Sequence, residues 1–279
     1  RDPCALSVPS PAACRRRDRR LALRVLGTGL LAPALPLSAQ ARMALATAIN
    51  RTARFRALSQ RMAKAYGQLY LNVKPVRARD VLEHTRRQVR SGFEDMAHPG
   101  WPPEVARLLA DVRRSADRLN ALAEQAPSRS AFQAVSAQAD QMLALADTAT
   151  QALEGQAQAP TARLGNTAGR QRMLSQRMAK NYELEAAGLD GRQVREQLAG
   201  DADEFQRALA RLGEAPISTP AIRSALELGQ AQWLFFDAAL KRQPDGRGLE
   251  EVATTSERLL EVMDGLTALY EAALQDLLG

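Results

Sequence analysis

Apolar positions recur along the chain from residue 43 onward with the three- and four-residue spacing of amphipathic helices. Short stretches rich in Gly, Pro, Ser or Asp interrupt this periodicity. The pattern predicts eight helices, at residues 43–71, 78–97, 103–125, 129–154, 160–187, 191–212, 219–242 and 248–277. Thr219 before Pro220, and either Ser128 or Ser130, are residues expected where helices begin.

The first and fifth predicted helices carry nearly the same sequence. NRTARFRALSQRMAKAY covers residues 50–66 and NTAGRQRMLSQRMAKNY covers residues 166–182, with 11 of 17 aligned positions identical. FEDM and PPEVARLL in the first half correspond more loosely to FQRA and TPAIRSAL in the second. A period near 116 residues that holds four helices is longer than a solenoid repeat of ~20–50 residues. We therefore predict an all-α fold of two tandem four-helix bundles from an internal duplication, with domains at 42–157 and 158–279.

The repeated helix has two distinct faces on a helical wheel. Its core-facing stripe consists of Phe55, Leu58, Met62, Tyr66 and Leu69. Arg54 and Arg61 flank this stripe, where their side chains can reach water. A second face, about 125° away, surrounds one arginine with small residues. The members of this small-residue strip are Thr52, Arg56, Ser59 and Ala63 in the first copy, and Ala168, Arg172, Ser175 and Ala179 in the second.

Packing of the two small-residue strips against each other would bring Arg56 and Arg172 together. At ~7 Å and an effective dielectric constant near 20, two guanidiniums repel by roughly 2 kcal/mol. Burial without a counter-charge would cost more. A small planar anion would remove this penalty, because each guanidinium offers a fork of donors that matches two oxygens. Plain packing remains an alternative interpretation, since arginines on amphipathic helices are usually solvated and a duplication preserves packing.

The segment NTAGRQRMLSQRMAK at 166–180 resembles the signature of the PilJ-type sensory domain, the N-terminal domain of type IV pili methyl-accepting chemotaxis transducers. It is also similar to the first-helix segment, the P-box, of the periplasmic sensor domain in NarX/NarQ-type nitrate/nitrite sensor kinases. That resemblance implies a four-helix bundle whose paired first helices hold one nitrate between two arginines, near a glycine. Carried onto this chain, the arginines are Arg172 and Arg56. The glycine is Gly169, and Ala53 replaces it in the first copy.

The resemblance implies a sensing or binding module for nitrate or nitrite that has no output of its own, with a membrane receptor, kinase or transporter component as its partner. The alternative is a helical interaction module, associated with a chemotaxis, type IV pilus or sensor system, that binds no small molecule.

The first forty-one residues differ in composition from the rest. RRRDRR at 15–20 is a basic segment, LALRVLGTGLLAPALPL is a short apolar one, and AQA at 39–41 fits a cleavage site. Arg24 and several Gly and Pro residues interrupt the apolar run, so it is too short for the ~20 residues of a membrane span. We predict a targeting segment at 1–41, from an over-extended or truncated start, that is cleaved on export to the periplasm. RRLALR leaves the Sec and twin-arginine routes open.

This segment also changes what the net charge implies. The chain carries a formal charge of +7 with 38 basic and 31 acidic residues. Residues 1–41 hold seven of the basic and two of the acidic residues, which leaves 31 basic against 29 acidic and a net charge of only +2. Such a balance argues against nucleic-acid binding. Cys4 and Cys14 both precede residue 42, so the exported chain would contain no disulfide.

The sequence offers no recognisable catalytic arrangement. It has no phosphate-binding glycine loop, nucleophile elbow, paired-carboxylate motif or haem-attachment motif. His84 and His98 have no partner at metal-ligand spacing, and Trp101 and WLFF at 233–236 are typical of core anchors. We therefore expect neither an enzyme nor a requirement for a metal or cofactor.

Overall fold

Eight α-helices follow one another along the part of the chain that the structure describes. The computed structural model describes residues 39–96, 100–157, 162–189, 191–217 and 219–278. Its helices are α1 Ala39–Tyr70, α2 Pro75–Asp95, α3 Pro103–Ala123, α4 Arg129–Ala157, α5 Ala162–Ala186, α6 Gly191–Gly213, α7 Pro220–Leu240 and α8 Gly246–Leu278. No strand occurs within these ranges, and the all-α prediction is confirmed.

Side chains at the helix starts explain several of these boundaries. The hydroxyl of Thr219 accepts a hydrogen bond from the backbone N–H of Ile222, and Pro220 fills the first helical position of α7, as predicted. Of the two serines considered for α4, Ser128 is the one whose Oγ accepts from the backbone N–H of Ala131. The side chain of Asp245 accepts a hydrogen bond from the backbone N–H of Gly248 at the start of α8. This cap was not predicted, and α8 begins at Gly246 instead of at residue 248.

Two large hydrophobic cores lie among these helices, one mainly within α1–α4 and one mainly within α5–α8, and a smaller third cluster packs around Ile49 near the start of α1. The predicted core stripe of α1 is confirmed, since Phe55, Leu58, Met62 and Tyr66 are buried and Leu69 packs at the edge. In the first core Phe55 stacks on Phe93 with ring centroids 4.2 Å apart. In the second, Phe205 stacks on Trp233 at 4.5 Å.

Equivalent tyrosines fasten the last turn of α1 and of α5 to a loop. The Tyr66 hydroxyl lies 3.1 Å from the carbonyl oxygen of Ala126, between α3 and α4. The Tyr182 hydroxyl lies 2.8 Å from the carbonyl oxygen of Gln243, between α7 and α8. These loop positions are 117 residues apart, close to the repeat in the sequence. The duplication itself and the domain boundary at 157/158 stay predictions.

α1 and α5 lie side by side and connect the two cores. The described residues between 39 and 278 consequently belong to one compact unit. The predicted targeting segment lies outside the described residues except for its last three, and α1 begins within the AQA stretch. Over the described ranges, no helix combines the length and the apolar character that crossing a membrane requires.

Candidate binding site between α1 and α5

The small-residue strips of α1 and α5 are buried where these two helices meet. Every member of both strips is buried: Thr52, Arg56, Ser59, Ala63, Ala168, Arg172, Ser175 and Ala179. Ala53 and Gly169 lie across from each other, since a Cβ built on Gly169 would stand 3.8 Å from that of Ala53. The same Cβ would lie only 3.1 Å from Nη2 of Arg172, so a glycine here gives the guanidinium room. The structure thus brings the four predicted site residues, Arg56, Arg172, Gly169 and Ala53, to one contact.

Arg56 is held by three acceptors. Its Nε donates to the carbonyl oxygen of Ala53 at 3.2 Å. Nη1 donates to Oδ1 of Asp147 on α4 at 2.6 Å, and Nη2 donates to Oδ1 of Asn166 on α5 at 2.5 Å. The arginine of the first half therefore reaches the first residue of the repeated motif in the second half.

Arg172 makes the corresponding set of contacts. Its Nε donates to the carbonyl oxygen of Gly169 at 3.4 Å. Nη1 donates to Oδ1 of Asp264 on α8 at 3.0 Å, and Nη2 donates to Oδ1 of Asn50 on α1 at 2.9 Å. Both arginines thus pair with an aspartate on the fourth helix of their own half and an asparagine of the other half.

A glutamate orients one of the two asparagines. Asn50 donates from Nδ2 to Glu271 on α8. Since this amide gives its N–H to a glutamate, its carbonyl oxygen is turned toward Arg172. Burial raises the pKa of Glu154 on α4 above its usual value, and the positive charge of Arg56 opposes that shift.

The aspartates correct one step of the sequence argument, which treated the buried guanidiniums as lacking a protein counter-charge. Burial lowers the pKa of Arg56 and of Arg172 from the usual value, and the neighbouring aspartates oppose this effect. The positive charge of Arg56 also lowers the pKa of Arg172, although less than burial does. The two guanidiniums are therefore close enough to repel each other. The protein itself therefore neutralises the pair.

Two lysines extend the polar contact toward the other end of the helices. Lys64 and Lys180, which occupy equivalent places in the repeated motif, are fully buried. Lys64 on α1 donates to Glu257 on α8 at 2.5 Å, whereas Lys180 on α5 donates to Asp140 on α4 at 2.6 Å. Each lysine crosses to the other set of four helices. The Lys64–Glu257 pair is the more buried of the two, and removing one partner of such a buried pair typically costs about 3–5 kcal/mol, so this contact restricts how α1 can pack against α8.

The two arginines predicted to flank the core behave differently. The side chain of Arg54 is 43% exposed and donates to Asp264, in agreement with its predicted place at the solvent edge. The side chain of Arg61 is only 14% exposed and forms a double hydrogen bond to Glu257 on α8. The prediction for Arg61 is wrong because α8 of the other half covers that side of α1.

A carboxyl group is also buried between α1 and α5. Glu183 accepts a hydrogen bond from Nε2 of Gln68 at 2.9 Å, and its second oxygen, Oε2, has no hydrogen-bond partner. Burial raises its pKa well above the usual value, and the positive charge of Lys64 opposes that shift. This carboxyl is therefore held in its neutral form at pH values where a solvated glutamate is ionised.

Sequence reasoning missed most of the partners of the arginines. Asp147 and Asp264 are 117 residues apart, so the repeat itself could have paired them. Asn50 and Asn166 are the first residues of the two copies of the repeated motif. The alignment showed that they are identical, but it indicated no function for them.

Other candidates from the sequence take no part in this site. Within the described ranges, no three His, Cys, Asp or Glu side chains are grouped so as to hold a metal ion. His98 lies outside those ranges. Trp233 and Phe236 are buried core residues as expected, whereas Leu234 and Phe235 of the same WLFF segment are exposed, contrary to that expectation.

Comparison with known proteins gives one result for the second half of the chain. Residues 156–260 match the PilJ family, described as the N-terminal region of type IV pili methyl-accepting chemotaxis transducers. No curated protein and no solved structure matches the chain significantly. The matched range runs from the end of α4 into α8 and includes Arg172 and Gly169. A PilJ-type domain in the first half of the chain, and the similarity to NarX/NarQ-type kinases, stay predictions. This match supports a PilJ-type sensory domain in residues 156–260.

Proposed function

We propose that the chain is an exported sensory protein that binds a small oxyanion, nitrate or nitrite, between Arg56 and Arg172. One observation carries this proposal. Two equivalent guanidiniums are buried at a single helix contact, and each reaches across it to the opposite helix. A planar anion shared by both would add a bond between α1 and α5 that exists only in the liganded state.

Binding would proceed by exchange, because the arginine pair is already neutralised. Asp147 and Asp264 each occupy the Nη1 donor of one guanidinium, so a ligand that uses this donor must replace the carboxylate there. The side chains of these aspartates are 26% and 33% exposed, so either can turn toward water. The Nη1 atom released in this way would donate to the ligand instead. Ligand binding would then loosen an arginine from α4 or α8 and tighten α1 against α5.

The signal would be this change in how α1 and α5 pack against each other and against α4 or α8. The partner that reads the signal would be a membrane receptor, a kinase or a transporter component that contacts the moving helices. Export to the periplasm would place the site where such anions enter the cell envelope. In that case intact-mass measurement of periplasmic protein should give a chain beginning near Arg42, and a membrane-bound chain that keeps residues 15–41 would contradict export by cleavage.

A thermal-shift series with nitrate, nitrite, sulfate and chloride tests the proposal. A ligand that binds only the folded protein raises the free energy of unfolding by RT ln(1 + [L]/Kd), so nitrate should raise Tm with concentration. Arg172→Ala should abolish the rise. Arg118→Ala, which removes an exposed arginine of α3, is the matched control and should respond as the parent does. Equal responses of the Arg172 variant and the parent would rule out the site.

A second candidate function is an interaction module that binds no small molecule. The observation that favours it is the complete set of protein partners around both guanidiniums, which leaves the site satisfied without a ligand. In that case no anion in the series would change Tm beyond the general effect of salt. The parent and the Arg172 variant would then differ only in their stability.

A further inference from the structure

The outer face of α7 carries an unusual run of apolar side chains. Leu228, Leu234 and Phe235 are 51%, 68% and 64% exposed, and these are three of the four large hydrophobic residues that the described chain leaves most exposed. Ala231 and Ala238 are exposed beside them. We call these five residues the outer strip of α7. Isolated exposed apolar residues are ordinary, but a contiguous strip of them along one helix indicates an interaction surface.

The equivalent helix of the first half shows that the fold does not require an apolar surface there. Pro103 begins α3 and Pro220 begins α7, so equivalent positions differ by 117 residues. The positions that correspond to Leu228, Ala231, Leu234 and Phe235 are Asp111, Arg114, Asp117 and Arg118 of α3. At these equivalent positions the outer surface of α3 is therefore charged, whereas that of α7 is apolar.

The spacing of the outer strip is that of a helix–helix seam. Leu228, Ala231, Phe235 and Ala238 follow one another at intervals of three, four and three residues, which is the a/d spacing of a coiled coil. Large and small residues alternate along this seam. In an antiparallel pair of identical helices centred between Ala231 and Phe235, Leu228 meets Ala238 of the second copy, and Phe235 meets its Ala231. Each large side chain then faces a small one, so the two seams can interdigitate.

The charged residues beside the seam are complementary in the same arrangement. Glu227 and Lys241 are both exposed and lie on one flank of the strip, seven residues before and after Leu234. The side chain of Lys241 is 73% exposed even though it also contacts Asp237 on its own helix. In the antiparallel pair Glu227 of each copy faces Lys241 of the other, and the two Leu234 side chains meet between them. In a parallel pair, Glu227 of one copy would not lie opposite Lys241 of the other.

We propose that the outer strip of α7 is the contact between two copies of this chain, packed as an antiparallel, two-fold symmetric helix pair. Such a contact is self-complementary, because each copy presents the same surface. A single helix face is small compared with the ~800 Å² per partner of a standard interface, so the dimer should be in reversible equilibrium with the monomer.

Sedimentation equilibrium of the full chain over a wide concentration range tests the proposal. A reducing agent is needed because Cys4 and Cys14 could cross-link copies by themselves. The parent should show a monomer–dimer equilibrium, and Phe235→Ser should leave only monomer. Glu227→Lys and Lys241→Glu should each raise the dimer Kd by about tenfold, because each places like charges together at two symmetric points. Combining both substitutions should return the Kd to within about threefold of the parent, since the pairs are restored with reversed sign.

Two further measurements make the test decisive. Asp117→Lys, on the equivalent face of α3, is the matched control and should leave the Kd unchanged. Circular dichroism should show that each surface variant retains its helix content. A parent that stays monomeric at all concentrations would overturn the proposal. A dimer whose Kd is the same in the charge-reversed variants, or is not restored in the double variant, would overturn it as well.

Discussion

Gly67 lies where α1, α4 and α5 meet, and replacing it with alanine tests how closely these helices pack. A Cβ at this position would stand 2.5 Å from Cζ of Phe132 on α4 and 2.6 Å from Oε2 of Glu183 on α5. Carbon atoms in contact prefer separations of ~3.5–4.0 Å, so α1 must move by about 1 Å from its neighbours. Both neighbouring side chains are buried and have little freedom to move aside.

The expected loss of stability follows from two opposing effects. Overpacking a core by one methyl group costs up to about 3 kcal/mol. Alanine is a better helix former than glycine by about 1 kcal/mol, which offsets part of this cost. Gly67→Ala should therefore lower the free energy of unfolding by about 2 kcal/mol. For a unit of this size that change corresponds to a decrease in Tm of about 4–8 °C, measured by circular dichroism.

Gly200 supplies a matched control with the opposite sign. It lies within α6, and a Cβ there would meet no atom within 4 Å. Gly200→Ala should gain about 1 kcal/mol from helix propensity alone and raise Tm by about 2–4 °C. A Gly67→Ala variant as stable as the parent would show that α1 is not packed tightly against α4 and α5 and would refute the reasoning.

Two further predictions concern buried titratable groups. Burial raises the pKa of Glu183 well above its usual value, so the folded state holds a proton that the unfolded state releases. Stability should therefore fall as the pH rises above about 4.3, the ordinary glutamate pKa, and Glu183→Gln should remove this fall in urea titrations at pH 4–8. Burial also raises the pKa of Tyr182 to about 12. Tyr182→Phe should remove a tyrosine that ionises near pH 12 in an ultraviolet pH titration and cost about 1 kcal/mol, through the lost bonds to the α7–α8 loop.

Local periodicity was sufficient to predict the helices and the buried faces of α1. Phe55 and Met62 repeat at helical spacing, and that spacing alone indicates which side of α1 is apolar. The contact between the small-residue strips also followed from sequence, because the same strip occurs twice and small side chains allow close approach. The same wheel applied to WLFF would have separated Trp233 and Phe236, three residues apart, from the exposed Leu234 and Phe235 between them.

The partners of the buried cations could not be predicted in the same way. A lone aspartate such as Asp147 or Asp140 on an amphipathic helix has the pattern of a solvated residue. Its role depends on which helix lies next to it, and no local signal specifies that neighbour. The contact of Lys64 with α8 joins residues 193 positions apart and follows only from the packing of α1 beside the second set of helices. The structure was therefore needed to identify Asp147 and Asp264 as counter-charges, although their spacing of 117 residues is close to the repeat.

Isothermal titration of nitrate into the parent and into the matched variants Arg56→Lys and Arg172→Lys tests the central claim most directly. Lysine keeps the positive charge but lacks the fork of donors, so these variants separate shared coordination from general attraction of an anion. We expect one nitrate per chain in the parent and no measurable binding in either variant, because both arginines hold the same ligand. Absence of heat in the parent, or binding that survives in either lysine variant, would contradict a site shared by Arg56 and Arg172.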